Sequence, residues 1–497
     1  MSGNLSLSNS MNEFVTGRHK MLIDGNWVEA ISGETLPVYD PATGEVLTHV
    51  PSGGKADVDA AVDAARRALK GPWRTTTPQE RSRLMWRLAD LIEANAESFA
   101  QIESIDNGKP VNEARFIDVP FSIEILRYYA GWPTKITGDT IPVSYPHQFG
   151  GRYHAYTLRE PIGVVAAVVP WNVPLLMTIK KLAPALATGN ATVFKPAEQT
   201  PLSIELLGQL VIEAGFPPGV FNYVSGYGRD AGQALVDHMD VNKITFTGSV
   251  ETGKSIVRGS TSNLKRVSLE LGGKSPHIVF ADADLEPAID NAALAIFACQ
   301  GESCIAGSRL YVQRSVFDRV VEGVSARARA IKLGRGLDPS SQMGPMISED
   351  HRKKVLQYID IGRSEGVEIA TGGGAWGEKG YFVEPTVLVN PDPGSRIVKE
   401  EIFGPVLSVL PFDTEEEVLA AANDSRYGLG AGIWTQDISR AQRLISSLES
   451  GQVWVNCYQA CDAAVPFGGY KQSGWGRETC KENLDDYLEL KSVVIRY

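Results

Sequence analysis

The chain of 497 residues has only five cysteines, an odd number without a CxxC pair. That scarcity argues against both a disulfide framework and a zinc site, and fits free thiols in a reducing compartment. The seven histidines show no metal-ligand spacing, so no metal site is expected. No stretch approaches the roughly 20 uninterrupted apolar residues of a membrane-spanning helix, and MSGNLSLSNSMNEF lacks the basic and apolar regions of a secretory signal. Basic excess is missing too. A formal charge of −11 and an isoelectric point near 5.3 exclude the clustered Lys and Arg that nucleic acid or an anionic membrane requires. These absences leave a water-soluble, cytoplasmic protein with a small-molecule partner as the expectation.

What is present is ordinary globular composition, 43% hydrophobic and 22% charged, at a length that allows several domains. Residues 55–70 and 78–101 repeat apolar side chains at intervals of three and four, which predicts amphipathic helices. At 163–170 the texture changes to GVVAAVVP, a short β-branched run of the kind seen in strands buried on both faces. Helix and strand signals then alternate to about residue 270, and a second alternating set follows residue 310. The pattern predicts two α/β domains, each a parallel sheet covered by helices.

Within that frame several residues have chemical uses. CQGESCIAGSR at 299–309 sets two thiols among glycine and serine, where a cysteine is expected to be exposed enough to react. KITFTGSVETG ends a strand at Thr247 and starts a helix beside Gly248, Ser249 and Gly253, a turn whose free N–H groups attract phosphate, although any α/β protein contains such turns. VFKPAEQTP puts Lys195 and Glu198 past a buried strand, where a carboxylate can accept from an adenosine ribose and repel a 2′-phosphate; the plain alternative is a solvated charge pair. Asn172 follows another buried strand, with an amide able to donate to an oxyanion, or simply forming a turn. Glu270 ends a strand ahead of paired glycines and is a candidate general base. Together these are the parts that oxidation of an aldehyde through a thioester requires.

The motifs PWNVPLL, VFKPAEQTP, FTGSVETG, LELGGKSP, GESCIAGSR, EEIFGPV, NDSRYGLGAGIWT and PFGGYKQSGWGRE, in this order, resemble the aldehyde dehydrogenase superfamily over nearly the whole chain. The resemblance implies a Rossmann-type NAD-binding domain (1–138 and 161–269), an α/β catalytic domain (270–482) and a small β oligomerisation extension (139–160 and 483–497). It implies Cys304, not Cys299, as nucleophile, Glu270 as base and Asn172 in the oxyanion hole, with Lys181 and Glu478 in supporting or proton-relay roles. For the cofactor, NAD, it implies Trp171, Lys195, Glu198, Gly228, Gly248, Ser249, Gly253, Leu271, Glu401 and Phe403. For the substrate pocket it implies Val173, Met177, Lys180, Ser303, Ile305, Cys461 and Phe467. Broad-specificity relatives tend to carry aromatic residues where this chain has Val173, Lys180 and Cys461. Lys180 is expected to snorkel to solvent at the tunnel mouth, with an anionic substrate as the alternative.

The tracts RYYAGWPTKITGDTIPVSYP, GRYHAYTLREPIG and LELKSVVIRY look most like bacterial phenylacetaldehyde dehydrogenases, so an aryl aldehyde is the expected substrate, with another aliphatic or anionic aldehyde as the alternative. The apolar terminal segment is expected to pair with a second subunit in a homotetramer. Two other classes compete: a non-redox Cys-Glu hydrolase, which leaves Glu198 and the Gly248 turn unexplained, and a catalytically silent binding protein, against which Cys304, Glu270 and Asn172 argue.

Overall fold

The computed structural model describes residues 7–145 and 149–497, so residues 146–148 of the expected extension and residues 1–6 lie outside the described residues. Two large sheets organise the chain. The first has eight strands, of which five run parallel in the order Phe221–Tyr223, Ala191–Lys195, Val164–Val168, Lys243–Thr247 and Arg266–Glu270. Its central strands are buried along their length except at Val168, which is half-buried, and this explains their largely apolar sequence. The sheet is not purely parallel, as the alternating pattern predicted. Met21–Ile23 joins one edge antiparallel, and Gly474–Trp475 joins the other beside Arg266–Glu270. Those two-to-three-residue edge strands are too short for a period to be read in sequence.

The second sheet has seven strands: Pro276–Val279, Arg309–Gln313, Thr386–Val389, Val406–Phe412, Gly430–Trp434 and Gln452–Val455 are parallel, with Glu368–Thr371 antiparallel at one edge. The amphipathic segments form helices at Lys55–Ala68 and Pro78–Ala94; the predicted 78–101 helix breaks at Asn95, and Ala96–Asp106 continues separately. Thr77 explains the start of the second helix, accepting from Glu80 N while the Glu80 carboxylate accepts from Thr77 N.

A third, three-stranded sheet orders Leu488–Arg496, Tyr153–Pro161 and Thr140–Ile141. The terminal segment expected to seek another subunit is paired along one side within its own chain, from Leu488 opposite Pro161 to Arg496 opposite Tyr153. Its other side is an edge of that sheet, with Leu490, Val494 and Ile495 exposed. Among the described residues no helix is long and apolar enough to cross a membrane, and no group of three His, Cys, Asp or Glu side chains could hold a metal.

Candidate active site

Glu270 is the last residue of its strand, and the chain turns immediately through Leu271, Gly272 and Gly273. The turn must be glycine because a Cβ on Gly273 would fall 2.2 Å from the carbonyl oxygen of Cys304, and one on Gly272 would fall 2.1 Å from Glu401 Oε2. The first sheet is thereby held against the cysteine loop and the EEIFGP segment at one point. Gly273 N donates to Glu401 Oε1 at 2.9 Å. Residues far apart in sequence, 270, 304 and 401, meet there.

The cysteine loop follows helix Leu285–Phe297 and bends through Cys299 and Gln300, both left-handed at φ 50° and 54°. Non-glycine residues in consecutive left-handed positions are costly and persist only where the surroundings hold them. Here the Cys299 N–H donates to Glu113 Oε1 at 2.8 Å, and the Cys299 thiol donates to the Asn172 carbonyl at 3.7 Å. The expectation that this glycine- and serine-rich stretch exposes its thiols fails for Cys299, which is buried; Cys304 is partly exposed. Cys299 thus braces the loop. Burial pushes the Cys304 thiol up to about 12, opposed by the Lys180 ammonium.

Asn172 lies just past strand Val164–Val168 and is buried; its Nδ2 donates to the Glu302 carbonyl at 2.9 Å, which ties the amide to the cysteine loop. The second N–H of that amide remains for another acceptor. Ser303 and Ile305 flank the thiol, Ser303 half-buried and Ile305 buried. Phe467 and Ile305 belong to the apolar cluster on which Cys304 packs.

Glu270 is almost wholly buried, and a Cβ on Gly468 would fall 2.8 Å from the Gly476 carbonyl oxygen and 2.9 Å from Glu270 Oε1, so the backbone at 476 demands glycine there also. Burial, and then the nearby Glu478 carboxylate, push its carboxyl well above the usual range, with Lys181 and Lys180 opposing. Lys181 pairs with Glu478 and donates to Thr247 Oγ1 at 2.8 Å. Glu478 is fixed by main-chain bonds to Phe467 in both directions, at 2.8 and 2.7 Å.

A second cluster lies at the C-terminal ends of the first sheet's strands. Lys195 closes its strand, buried, and donates to the Pro196 carbonyl at 2.5 Å and to Glu198 Oε2 at 3.4 Å. Burial lowers its ammonium, with Glu198 opposing. Gly248 and Ser249 follow the next strand, and Ser249 caps helix Val250–Ser260 by accepting from Thr252 N at 3.3 Å. Gly253 sits against Leu271, where a Cβ would meet Leu271 Cδ2 at 2.8 Å. Gly228 opens the short helix Gly228–Gly232 and has open space where a Cβ would stand. Trp171 packs edge-on against Phe403, centroids 5.3 Å apart, and Phe403 sits at φ 62°. This strand-end row fits a dinucleotide: a helix N-terminus for phosphate, a carboxylate for a ribose, and glycines that leave room.

Val173 caps the helix that begins at Pro174, and Met177 and Lys180 lie on it at an interval of three, which presents them on one side. The expectation for Lys180 is wrong. Its side chain does not extend into open solvent; the residue is 4% exposed, and Nζ lies 4.0 Å from the centre of the Phe467 ring. Every residue of its helix is buried, so the stem lies within the packed interior and not along a surface. Lys180 lines a narrow crevice with Phe121, Gln452, Cys461, Phe467 and Thr479; Cys461 is exposed. Phe121, Gln452 and Thr479 escaped sequence reasoning, as did Thr247 and Glu113. An aromatic on the amphipathic helix Val119–Ala130 reads as core, so Phe121 carries no local signal.

The aldehyde dehydrogenase family model matches residues 27–493. The chain is 48% identical over 481 residues to the mitochondrial aldehyde dehydrogenase of Sus scrofa, covering 96% of this chain and 91% of that one. Its fold matches an NAD+ complex of an aldehyde dehydrogenase from Bacillus cereus at TM-score 0.97 and 49% identity, covering 99% and 100% of the two chains. It also matches P. syringae AldA, an indole-3-acetaldehyde dehydrogenase in complex with NAD+ and IAA, at TM-score 0.94 and 42% identity over 98% of each. The chain therefore belongs to the aldehyde dehydrogenase family.

Proposed function

We propose that this chain oxidises an aldehyde to a carboxylic acid with NAD and water, at a site formed by Cys304, Glu270 and Asn172. The observation that carries the proposal is the contact of Gly273 with the Cys304 carbonyl, which brings the strand end bearing Glu270 to the thiol loop. The Cys304 thiolate attacks the carbonyl carbon and forms a thiohemiacetal. The free N–H of Asn172 and the main-chain N–H of Cys304 hold the oxyanion, each donor worth about 3 kcal/mol in the transition state. NAD, held by Lys195, Glu198 and the Gly248 turn, would supply the hydride acceptor that oxidation of this carbon needs. Glu270 then takes a proton from the water that attacks the thioester, and the acid departs. Lys181, tied to Glu478, holds a positive charge near the Glu270 carboxyl and favours its ionised form.

Lys195, Glu198, Gly248, Ser249 and Gly253 would hold the adenosine and phosphates; Trp171, Gly228, Leu271, Glu401 and Phe403 border the same cofactor site. The named NAD+ complexes support this reading. The substrate we infer is an aryl aldehyde such as phenylacetaldehyde, supported by the tracts resembling phenylacetaldehyde dehydrogenases and by the aromatic walls of Phe121 and Phe467. Met177, Val173, Ser303, Ile305 and Cys461 complete the pocket. Residues 1–138 with 161–269 would form the cofactor domain, 270–482 the catalytic domain, and 139–160 with 483–497 the oligomerisation extension.

An assay with aldehyde and NAD should form NADH and acid in equal amounts; acid released without NADH would favour the hydrolase. In the same assay Glu198→Gln should shrink the NAD over NADP preference about tenfold or more, because the carboxylate no longer repels a 2′-phosphate. An unchanged ratio would place ribose selection elsewhere. The open edge of Leu488–Arg496 supports a homotetramer, and a solution mass of one 53.9 kDa chain would refute it.

A further inference from the structure

Two lysines sit side by side on helix Pro174–Ala187, and their surroundings differ. Lys181 has a carboxylate partner in Glu478 and a hydroxyl acceptor in Thr247. Lys180, equally enclosed, has neither: among the described residues no carboxylate lies within ion-pair distance of its Nζ and no oxygen accepts a hydrogen bond from it. Its contact is the face of Phe467, at 4.0 Å.

The energetics of that arrangement are unbalanced. Removing an ammonium from water is costly, and removal of a partner from a buried pair is destabilising for the same reason. A cation over a phenyl face returns only part of that cost. The remainder calls for an anion, and the crevice that Lys180 lines with Phe121, Cys461 and Phe467 has Cys461 exposed at its border. The ionisable groups that feel Lys180 are the Cys304 and Cys461 thiols and the Glu270 carboxyl. Burial raises Cys304 and Glu270, and loss of solvation around its sulfur raises Cys461 although the residue borders solvent; the anionic forms are disfavoured, so none is a standing counter-ion. Asp462 also borders the crevice, but it is exposed and its Oδ1 accepts from Ala464 N at 2.8 Å.

We propose that Lys180 is a specificity-determining residue, and that the preferred substrate is an aldehyde carrying a carboxylate remote from its carbonyl group, which becomes the counter-ion of this ammonium while the carbonyl meets Cys304. This rests on the dehydrogenase reading above and narrows it: the unsubstituted aryl aldehyde satisfies Phe121 and Phe467 but leaves Lys180 unpaired.

The test compares matched pairs with NAD: ω-oxo carboxylic acids of increasing length against the corresponding ω-oxo amides, and phenylacetaldehyde against its ring-carboxylated derivative. Within at least one pair the acid should exceed its neutral partner by about tenfold or more in kcat/KM, the gain lying mainly in KM because the charge pair forms before chemistry. Lys180→Met should bring that ratio towards one, and Lys180→Arg should restore part of it. If every wild-type ratio is near or below one, the proposal is overturned even if the variants fail to fold. A wild-type preference that Lys180→Met leaves intact overturns it as well. NADH formation with ratios near one removes this proposal alone, whereas no NADH from any aldehyde removes the dehydrogenase reading and this proposal together.

Discussion

Cys304→Ser is expected to lower aldehyde-dependent NADH formation by at least about 10⁴-fold, measured as kcat/KM. The substitution keeps the size of the side chain and removes the sulfur. In this environment burial already holds the thiol at about 12, and a hydroxyl, intrinsically far less acidic, would be ionised to a negligible extent. The thiol itself should show its suppression directly. Below pH 12 the thiolate fraction rises about tenfold per pH unit, so iodoacetamide alkylation of Cys304 should accelerate about a hundredfold from pH 7 to pH 9. Cys299, buried and occupied with the Asn172 carbonyl, should stay unmodified. Dehydrogenase activity surviving in the serine variant would end the assignment of the nucleophile.

Glu270→Gln should separate the two halves of the reaction. The amide is nearly isosteric and fits beneath Gly468, whose missing side chain leaves the carboxyl its place. It cannot accept a proton from water, so one equivalent of NADH per active site should appear rapidly while steady turnover falls by about 10²- to 10⁴-fold. The wild-type carboxyl has a raised pKa, so the fraction able to act as base grows with rising pH, and turnover of the wild type should climb with pH where deacylation limits it. The glutamine variant should lose that climb. Turnover close to wild type would show that another group, with Glu478 the nearest carboxylate in influence, receives the proton.

Both predictions concern groups whose identity was legible in the chain. Asn172, Glu270 and Cys304 sit in motifs with unusual composition: an Asn after Pro-Trp, a strand-end Glu before two glycines, a Cys amid small residues. The long, buried, β-branched strands were legible as well, because burial on both faces leaves a continuous apolar run. The short antiparallel edges were not, since Gly474–Trp475 owes its pairing to Leu269 and Glu270 rather than to any local preference. Lys180 was misread for a related reason. A lysine on a helix is normally free to extend to water, and only the packing of every residue of Pro174–Ala187 against its surroundings removes that freedom.

By itself, then, the order of residues determined the family, the α/β class and the chemical groups on offer, because those are properties of local periodicity and side-chain type. Tertiary structure alone decided that Cys299 braces the loop from inside while Cys304 stays partly exposed, that Glu270 lies under Gly468 and beside Glu478, and that one of two adjacent lysines has a partner and the other has none. Each of those outcomes depends on contacts between segments separated by up to several hundred residues, and desolvation, which sets the acidity of every group in the site, exists only once those segments have closed around it.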